Sequence, residues 1–230
     1  MELIWRGVLG ALKLLTGADR ELLEIAWLSI KVSTTATLVA MLIGLPGGTG
    51  LALGTFRGRR FLLALANTGM GLPPVVVGLT VAMMFWRTGP LGFLGLLYTP
   101  AAMVSAQFII ALPIVTSLTA AAVQSLDPRI RLEAMALGAS IPQLVIVLWR
   151  EARLGLLAAV MAGFGGAISE VGAVLMVGGN IRGQTRVLTT SIVTETRVGH
   201  FELAISLSII LLLLVFLANL ILTYMQQERK

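Results

Sequence analysis

An all-α integral membrane protein of about five transmembrane helices is the fold class this sequence predicts, and three observations predict it. Of 230 residues, 57% are hydrophobic and 12% charged, against roughly 45–50% and 25% in soluble domains, and the mean hydropathy is +0.94. Windows free of Asp, Glu, Lys and Arg cover residues 32–56, 61–86, 88–126, 154–169 and 203–227; several exceed the ~18 apolar residues that mark a membrane-crossing helix. The 17 Lys and Arg give a net charge of +6 and fall mainly between these windows. That spacing fits membrane orientation better than a nucleic-acid-binding face.

Residues 1–20 come first in the chain and form an amphipathic segment. Leu3, Ile4, Val8, Leu9, Leu12 and Leu15 recur at helical spacing, with Glu2, Arg6 and Lys13 at other positions, which predicts a helix lying in the membrane interface. Lys13 interrupts the apolar run that a cleaved secretory signal needs, so no cleavage is expected. Residues 21–230 form the transmembrane domain, with spans near 24–56, 61–86, 99–124, 154–178 and 201–225. The first is longer than the ~20 residues a bilayer needs, so it tilts, kinks or protrudes, and Pro46 offers a kink. Pro73, Pro74 and Pro113 interrupt the second and third spans. Membrane proteins tolerate such breaks chiefly where helices line cavities or move, which makes Pro73 and Pro74 pathway or packing candidates.

Between the third and fourth spans, residues 125–153 form a polar loop that starts with the helix-initiating pair Asp127-Pro128. Residues 180–200 form a second polar segment, rich in Thr. Placing the Arg57-Gly58-Arg59-Arg60 turn in the cytoplasm puts nine basic residues inside: Arg57, Arg59, Arg60, Arg129, Arg131, Arg150, Arg153, Arg229 and Lys230. The outside then receives Arg6, Lys13, Arg20, Arg87, Arg182, Arg186 and Arg197. The positive-inside rule therefore predicts an N-terminus outside and a C-terminus inside.

Composition excludes much chemistry. Zero Cys removes disulfides and thiolate sites, and the single His200 leaves no His-rich metal site. The Gly47-Gly48-Thr49-Gly50 cluster lacks the lysine of a phosphate-binding loop, and the four-residue spacing of Gly50 and Gly54 suits close helix packing. No catalytic residue and no metal site are expected. Glu170, inside the fourth span, costs at least ~2.5 kcal/mol at membrane depth and so demands a partner or a function. Lys31 and an outer arginine are the candidate partners, and Gly172 beside it is a packing candidate.

The loop sequence Glu133-Ala134-Met135-Ala136-Leu137-Gly138-Ala139-Ser140 resembles the Glu-Ala-Ala loop of ABC-importer permeases, with Leu126-Asp127-Pro128 as its lead-in. Gly71-Leu72-Pro73-Pro74-Val75-Val76-Val77-Gly78 and Gly89-Pro90-Leu91-Gly92 resemble segments of molybdate-type oxyanion permeases. Glu151-Ala152-Arg153, Ala162-Gly163-Phe164-Gly165, Ser169-Glu170-Val171-Gly172-Ala173 and the run from Met176-Val177-Gly178-Gly179-Asn180 through Ile181-Arg182-Gly183-Gln184-Thr185-Arg186 are similar to the tungstate branch. Two departures stand out: Met135 replaces the motif's second alanine, and Arg150-Glu151 replaces a closing Leu-Pro.

The resemblance implies the type I ABC-importer permease fold and a permease subunit that moves an oxyanion, tungstate first and molybdate or sulfate as alternatives. It implies no cofactor on this chain, since ATP and Mg would bind a separate ATPase. Implied partners are a second copy of the chain, a cytoplasmic ATPase dimer, an extracytoplasmic oxyanion-binding protein and membrane lipids, with no nucleic acid. Glu133, Ala134, Gly138 and Ala139 would form a helical face coupling to the ATPase. Arg182, Arg186 and Arg197 would meet the anion or its binding protein outside. A reading of another class is a membrane scaffold or sensory subunit that engages an ATPase without transport.

Overall fold

The computed structural model describes residues 2–17 and 20–227, all helices and connecting turns, with no strand among them. Arg229 and Lys230, counted above among the inner basic residues, lie outside the described residues, as do the side chains of Leu3, Ile4 and Leu15. Helix α1 spans Glu2–Thr16. It turns its small residues Gly7, Gly10 and Ala11 onto the chain's last helix. A Cβ on Gly7 would collide with Ile205, and one on Gly10 would lie 2.5 Å from Ser206 Oγ. Ser206 Oγ donates to the Gly7 carbonyl at 2.9 Å, while Trp5, Leu9 and Leu12 stay exposed.

Helix α2 (Arg20–Leu53) runs for 34 residues with Pro46 inside it, about 50 Å at the α-helical rise and well beyond the ~30 Å hydrocarbon thickness. Its buried residues Leu22, Ile25, Ser29, Val32, Ala36, Ala40, Gly44 and Gly48 recur at three- and four-residue steps, one stripe along the helix. The glycine pair that brings α2 close to its neighbour is Gly44 and Gly48, not Gly50 and Gly54. A Cβ on Gly48 would strike the Thr116 carbonyl and approach Thr119 Cβ to 2.7 Å, whereas one on Gly50 meets nothing within 4 Å. Four-residue spacing occurs in both pairs, and only the register of the buried stripe distinguishes them. At the far end, Arg59 Nε donates to the Leu51 carbonyl at 2.6 Å, satisfying the helix C-terminus with a cation.

The expected second span is a broken pair, α3 (Arg59–Gly69) and α4 (Pro74–Phe85), bent by 102°. Pro73 supplies the extended residue before the helix and Pro74 its first turn, where a missing N–H costs nothing. After a short 3-10 turn (Gly92–Leu94), α5 (Pro100–Gln124) crosses in one piece with Pro113 inside. It packs extensively on α2. The polar loop holds α6 (Pro128–Ala136) and α7 (Ile141–Glu151). The fourth span is again broken, into α8 (Arg153–Ile168) and α9 (Gly172–Gly178) with a 56° bend. Then come α10 (Leu188–Val198) and the long α11 (Phe201–Gln227). Among the described residues, three helices are long and apolar enough to cross a membrane, or up to five if each bent pair is one span.

Val32, Val77, Val81, Met103, Ala106, Val174 and Val177 form the main core, joining α2, α4, α5 and α9. A second cluster ties the 45–53 end of α2 to the polar loop through Leu144, Leu148, Ile130 and Ala134, and Trp149 Nε1 donates to Thr49 Oγ1 at 2.8 Å. The basic turn at residues 57–60 and the loop at 125–153 therefore share one end of the bundle. The opposite end carries residues 180–200, joined to the start of α2 by the Ser29 Oγ hydrogen bond from Leu188 N at 2.9 Å.

Candidate functional site

Helix α6 begins where Asp127 Oδ1 accepts from the Arg129 amide at 2.9 Å, and Pro128 opens its first turn. It ends by design of the backbone. The Gly138 amide donates to the Met135 carbonyl and the Ala139 amide to the Ala134 carbonyl, both at 3.0 Å, with Gly138 at φ +81°. This pair of bonds closing on a left-handed glycine is a Schellman ending. The helix therefore stops at Ala136, and Gly138 is not the next rung of an Ala134 face as the spacing alone implied. The glycine is present because the reversal needs positive φ. Ser140 then opens α7, its amide donating to Gln143 Oε1 at 2.8 Å.

The four coupling candidates divide by burial. Glu133 and Gly138 are exposed, whereas Ala134 and Ala139 are half-buried, Ala134 against the inner cluster. Helix α6 contains no buried residue, and Leu132, Met135, Leu137 and Ile141 project from the loop with 66%, 50%, 89% and 69% of their surface exposed. Sequence reasoning weighed the small residues and the carboxylate here and missed these four. Their signal was an apolar residue on nearly every turn of a loop otherwise rich in charge.

The pathway candidates come together in the middle of the bundle. Helices α4 and α9, the second halves of the two broken spans, touch through Gly78 and Ala173: a Cβ on Gly78 would lie 2.6 Å from Ala173 Cα. A Cβ on Gly172 would lie 3.0 Å from Val75 Cγ2, so Gly172 abuts the residue after Pro74. Glu170 is buried at the 56° bend, and its Oε1 accepts from the Ala173 amide at 2.8 Å. Among the described residues neither Lys31 nor an arginine partners it; the carboxylate instead satisfies a backbone donor at the start of α9, where the peptide dipoles also favour negative charge. The Glu170 carbonyl accepts from Thr189 Oγ1 of α10 at 3.0 Å, a tie the sequence did not reveal. Val76, Leu79 and Met83 of α4 are about half exposed or more in the single chain, an apolar surface beside the Val75–Gly172 contact.

At the opposite end, the polar segment is folded rather than looped out. Thr185, Leu188, Thr189, Thr190 and Ser191 are buried, and Thr185 Oγ1 bridges the Gly178 carbonyl and the Ile181 amide. Arg182 grips Glu21 with two nitrogens, Nε at 2.6 Å and a shorter contact from Nη2, and Arg186 Nη1 lies 3.9 Å from the same carboxylate. Arg197 is exposed in the last turn of α10. The three outer candidates thus separate: Arg182 and Arg186 share Glu21, and Arg197 stands apart. His200 Nδ1 lies 2.9 Å from Glu195 Oε2, and Ser169 Oγ donates to the Gly165 carbonyl at 2.7 Å, so serine and histidine are occupied locally and separately.

Residues 36–230 match the family described as the binding-protein-dependent transport system inner membrane component. The chain belongs to that family. Among its relatives, the tungstate uptake system permease protein TupB of Peptoclostridium acidaminophilum is 40% identical over 228 residues, covering 99% of this chain and 100% of the relative. The probable anion ABC transporter permease protein of Haloferax volcanii is 43% identical over 203 residues, covering 86% and 88%. The fold is that of the MetNI methionine ABC transporter in an inward-facing form, with a TM-score of 0.70 over 90% of this chain and 94% of the other at 17% identity. The chain thus has the fold of an ABC-importer permease.

Proposed function

We propose that this chain is the membrane permease of an ABC importer for tungstate, working as two copies around one pathway with the N-terminus outside. A separate ATPase dimer supplies the energy, holding ATP and Mg, and an extracytoplasmic binding protein delivers the oxyanion. The permease carries out no bond chemistry of its own. The observation that carries this reading is α6 and the turn after it: a short, capped helix with no fully buried residue, from which Leu132 and Met135 project beside Leu137 and Ile141 in a charged loop, at the same bundle end as the basic turn at residues 57–60. An exposed apolar cluster with a polar surround marks a protein contact surface. Glu133 and the left-handed turn at Gly138 form its edge, while Ile130 and Ala134 seat the helix on the permease, so a push on α6 reaches α2, α7 and α8 through the inner cluster.

Transport then requires only that ATP and the loaded binding protein favour different states of the permease. Both broken spans meet at Gly78, Gly172 and Ala173, which gives the two α-helical halves a hinge apiece at Pro73-Pro74 and at Glu170. The bare face of α4 serves the second copy and the pathway between copies. Arg182, Arg186 and Arg197 face the side from which a dianion arrives. Tungstate is preferred to molybdate or sulfate because the 40% identical, full-length relative carries that name. The test is cellular tungsten content with the permease present and deleted: a fall on deletion, restored by the gene, supports the reading, and unchanged tungsten with altered molybdenum or sulfate uptake reassigns the ion.

A further inference from the structure

Helix α7 runs into α8 through the single residue Ala152, and it is tied to α2 by the hydrogen bond from Trp149 Nε1 to Thr49 Oγ1 at 2.8 Å. Thr49 is buried, and its hydroxyl donates in turn to the Leu45 carbonyl at 2.8 Å. Its one proton therefore goes to α2 and a lone pair accepts the indole N–H. Thr49 lies three residues after Pro46, which offers no amide to the Leu42 carbonyl, so α2 is weakest just before it. Beyond Thr49, Arg59 of α3 donates to the Leu51 and Ala52 carbonyls at 2.6 and 3.3 Å. Residues 47–53 and the start of α3 are thus joined as one body past the proline. That body has room to move. Helix α3 contains no buried residue, and a Cβ on Gly47 or Gly50 would meet nothing within 4 Å. An open apolar groove of about 540 Å³ lies against α5, with Gly47, Leu51, Leu62 and Leu65 on one side and Leu112 and Pro113 on the other. Close approach to α5 is through glycine: Gly48 at the Thr116 carbonyl, and Gly69, whose Cβ would lie 2.6 Å from Pro113 Cβ.

We propose that Trp149 is a positioning residue for transport: through Thr49, its indole turns a displacement of α7 into movement of the 47–53 end of α2, with α3, about Pro46 and across the groove beside α5. This rests on the docking of an ATPase at α6 proposed above, and adds the side chain that carries the displacement into the first two spans. Apolar packing in the inner cluster is non-directional and can slip, whereas a hydrogen bond holds only over a narrow range of distance and angle. Trp149 is half-buried in that cluster, so its ring is seated on the loop side while its N–H reaches α2.

The test uses the full-length permease with its ATPase and binding protein in proteoliposomes and reads two quantities. One is tungstate carried per ATP hydrolysed; the other is the rate at which a thiol reagent labels Leu65→Cys in the groove of this otherwise cysteine-free chain. In the parent, ATP should change the labelling rate. Trp149→Phe, which keeps a ring in the inner cluster, and the near-isosteric Thr49→Val should each remove that change with ATPase affinity unaltered. Each should also cut tungstate per ATP about 2- to 10-fold, the factor that corresponds to one net hydrogen bond. The double variant should lose no more than the worse single one. Both variants delete an end of the same bond, so either alone decides if the other fails to fold. A purely structural role would lower Tm and leave both readouts of the folded protein at parental values. That result overturns the proposal, as do a labelling rate in the parent that ignores ATP, additive losses in the double variant, or a parallel fall in ATPase affinity. An ATP-dependent labelling change that needs Trp149 but accompanies no tungstate uptake would support it and refute the tungstate reading instead.

Discussion

Replacing Gly138 tests how α6 is built, because the residue combines φ +81° with open space: a Cβ there meets no atom within 4 Å. The effect of a small substituent is therefore carried by the backbone and not by a clash within the chain. An L-residue in the left-handed region costs about 1–2 kcal/mol, with asparagine the least penalised. The α6 ending must then either hold that strain or release the two 3.0 Å bonds from Gly138 and Ala139. If the ATPase recognises the intact ending, Gly138→Ala weakens its binding by about 5- to 30-fold, the equivalent of that cost. Gly138→Asn should lose less than Gly138→Ala although it is larger. Gly138→Leu adds bulk at the docking edge and should abolish ATPase association or stimulated hydrolysis while the permease dimer remains in the membrane. Since α6 contains no buried residue, the Tm of the isolated permease should move little in all three. Binding of purified ATPase to detergent-solubilised permease reads the order directly. Wild-type affinity in Gly138→Ala, or losses that follow side-chain size with Asn worse than Ala, would refute the backbone reasoning.

Glu170→Ala removes the acceptor of a buried amide and should destabilise the permease by about 1–3 kcal/mol, whereas Glu170→Gln keeps an acceptor for Ala173 and should be milder; thermal unfolding and transport of both variants check this, and a wild-type Tm in the alanine variant contradicts it. Gly48→Ala should destabilise by about 1–3 kcal/mol through overpacking against α5, while Gly50→Ala, with open space around it, should be neutral or gain up to about 1 kcal/mol of helix propensity; equal Tm values for the two would show that the close approach is misplaced. Arg182→Gln should cost under about 1 kcal/mol of stability, because Arg182 is largely at the surface, and Arg182→Gln with Arg186→Gln should slow uptake and flatten its dependence on ionic strength; an unchanged salt profile would leave these arginines as interfacial anchors.

The five spans were legible because apolar windows free of charge have few other uses, and each lies within a few residues of a helix or a bent pair. Asp127-Pro128 and Pro73-Pro74 announced a helix start and a break for reasons local to the backbone. What stayed hidden depends on partners distant in sequence. Four-residue glycine spacing pointed to Gly50 and Gly54, but the register of the α2 stripe turns Gly44 and Gly48 toward α5. The apolar spacing in α1 marked a helix, while its close approach to α11 goes through Gly7 and Gly10 to the distant Ile205 and Ser206, which spacing does not reveal. The buried charge at Glu170 was visible, yet its partner is a backbone amide three residues on, which carries no side-chain signature. In the loop at residues 125–153 the motif was legible as residue types, while the left-handed turn that explains its glycine appears only in the backbone.

Tungstate entry into proteoliposomes holding the permease, its ATPase and the binding protein tests the central claim most directly. Tungstate should accumulate only when all three proteins and ATP are present, and molybdate, nearly the same tetrahedral dianion, should compete. Accumulation that ignores ATP, or continued ATP-driven uptake in a folded Gly138→Leu permease, would contradict the account.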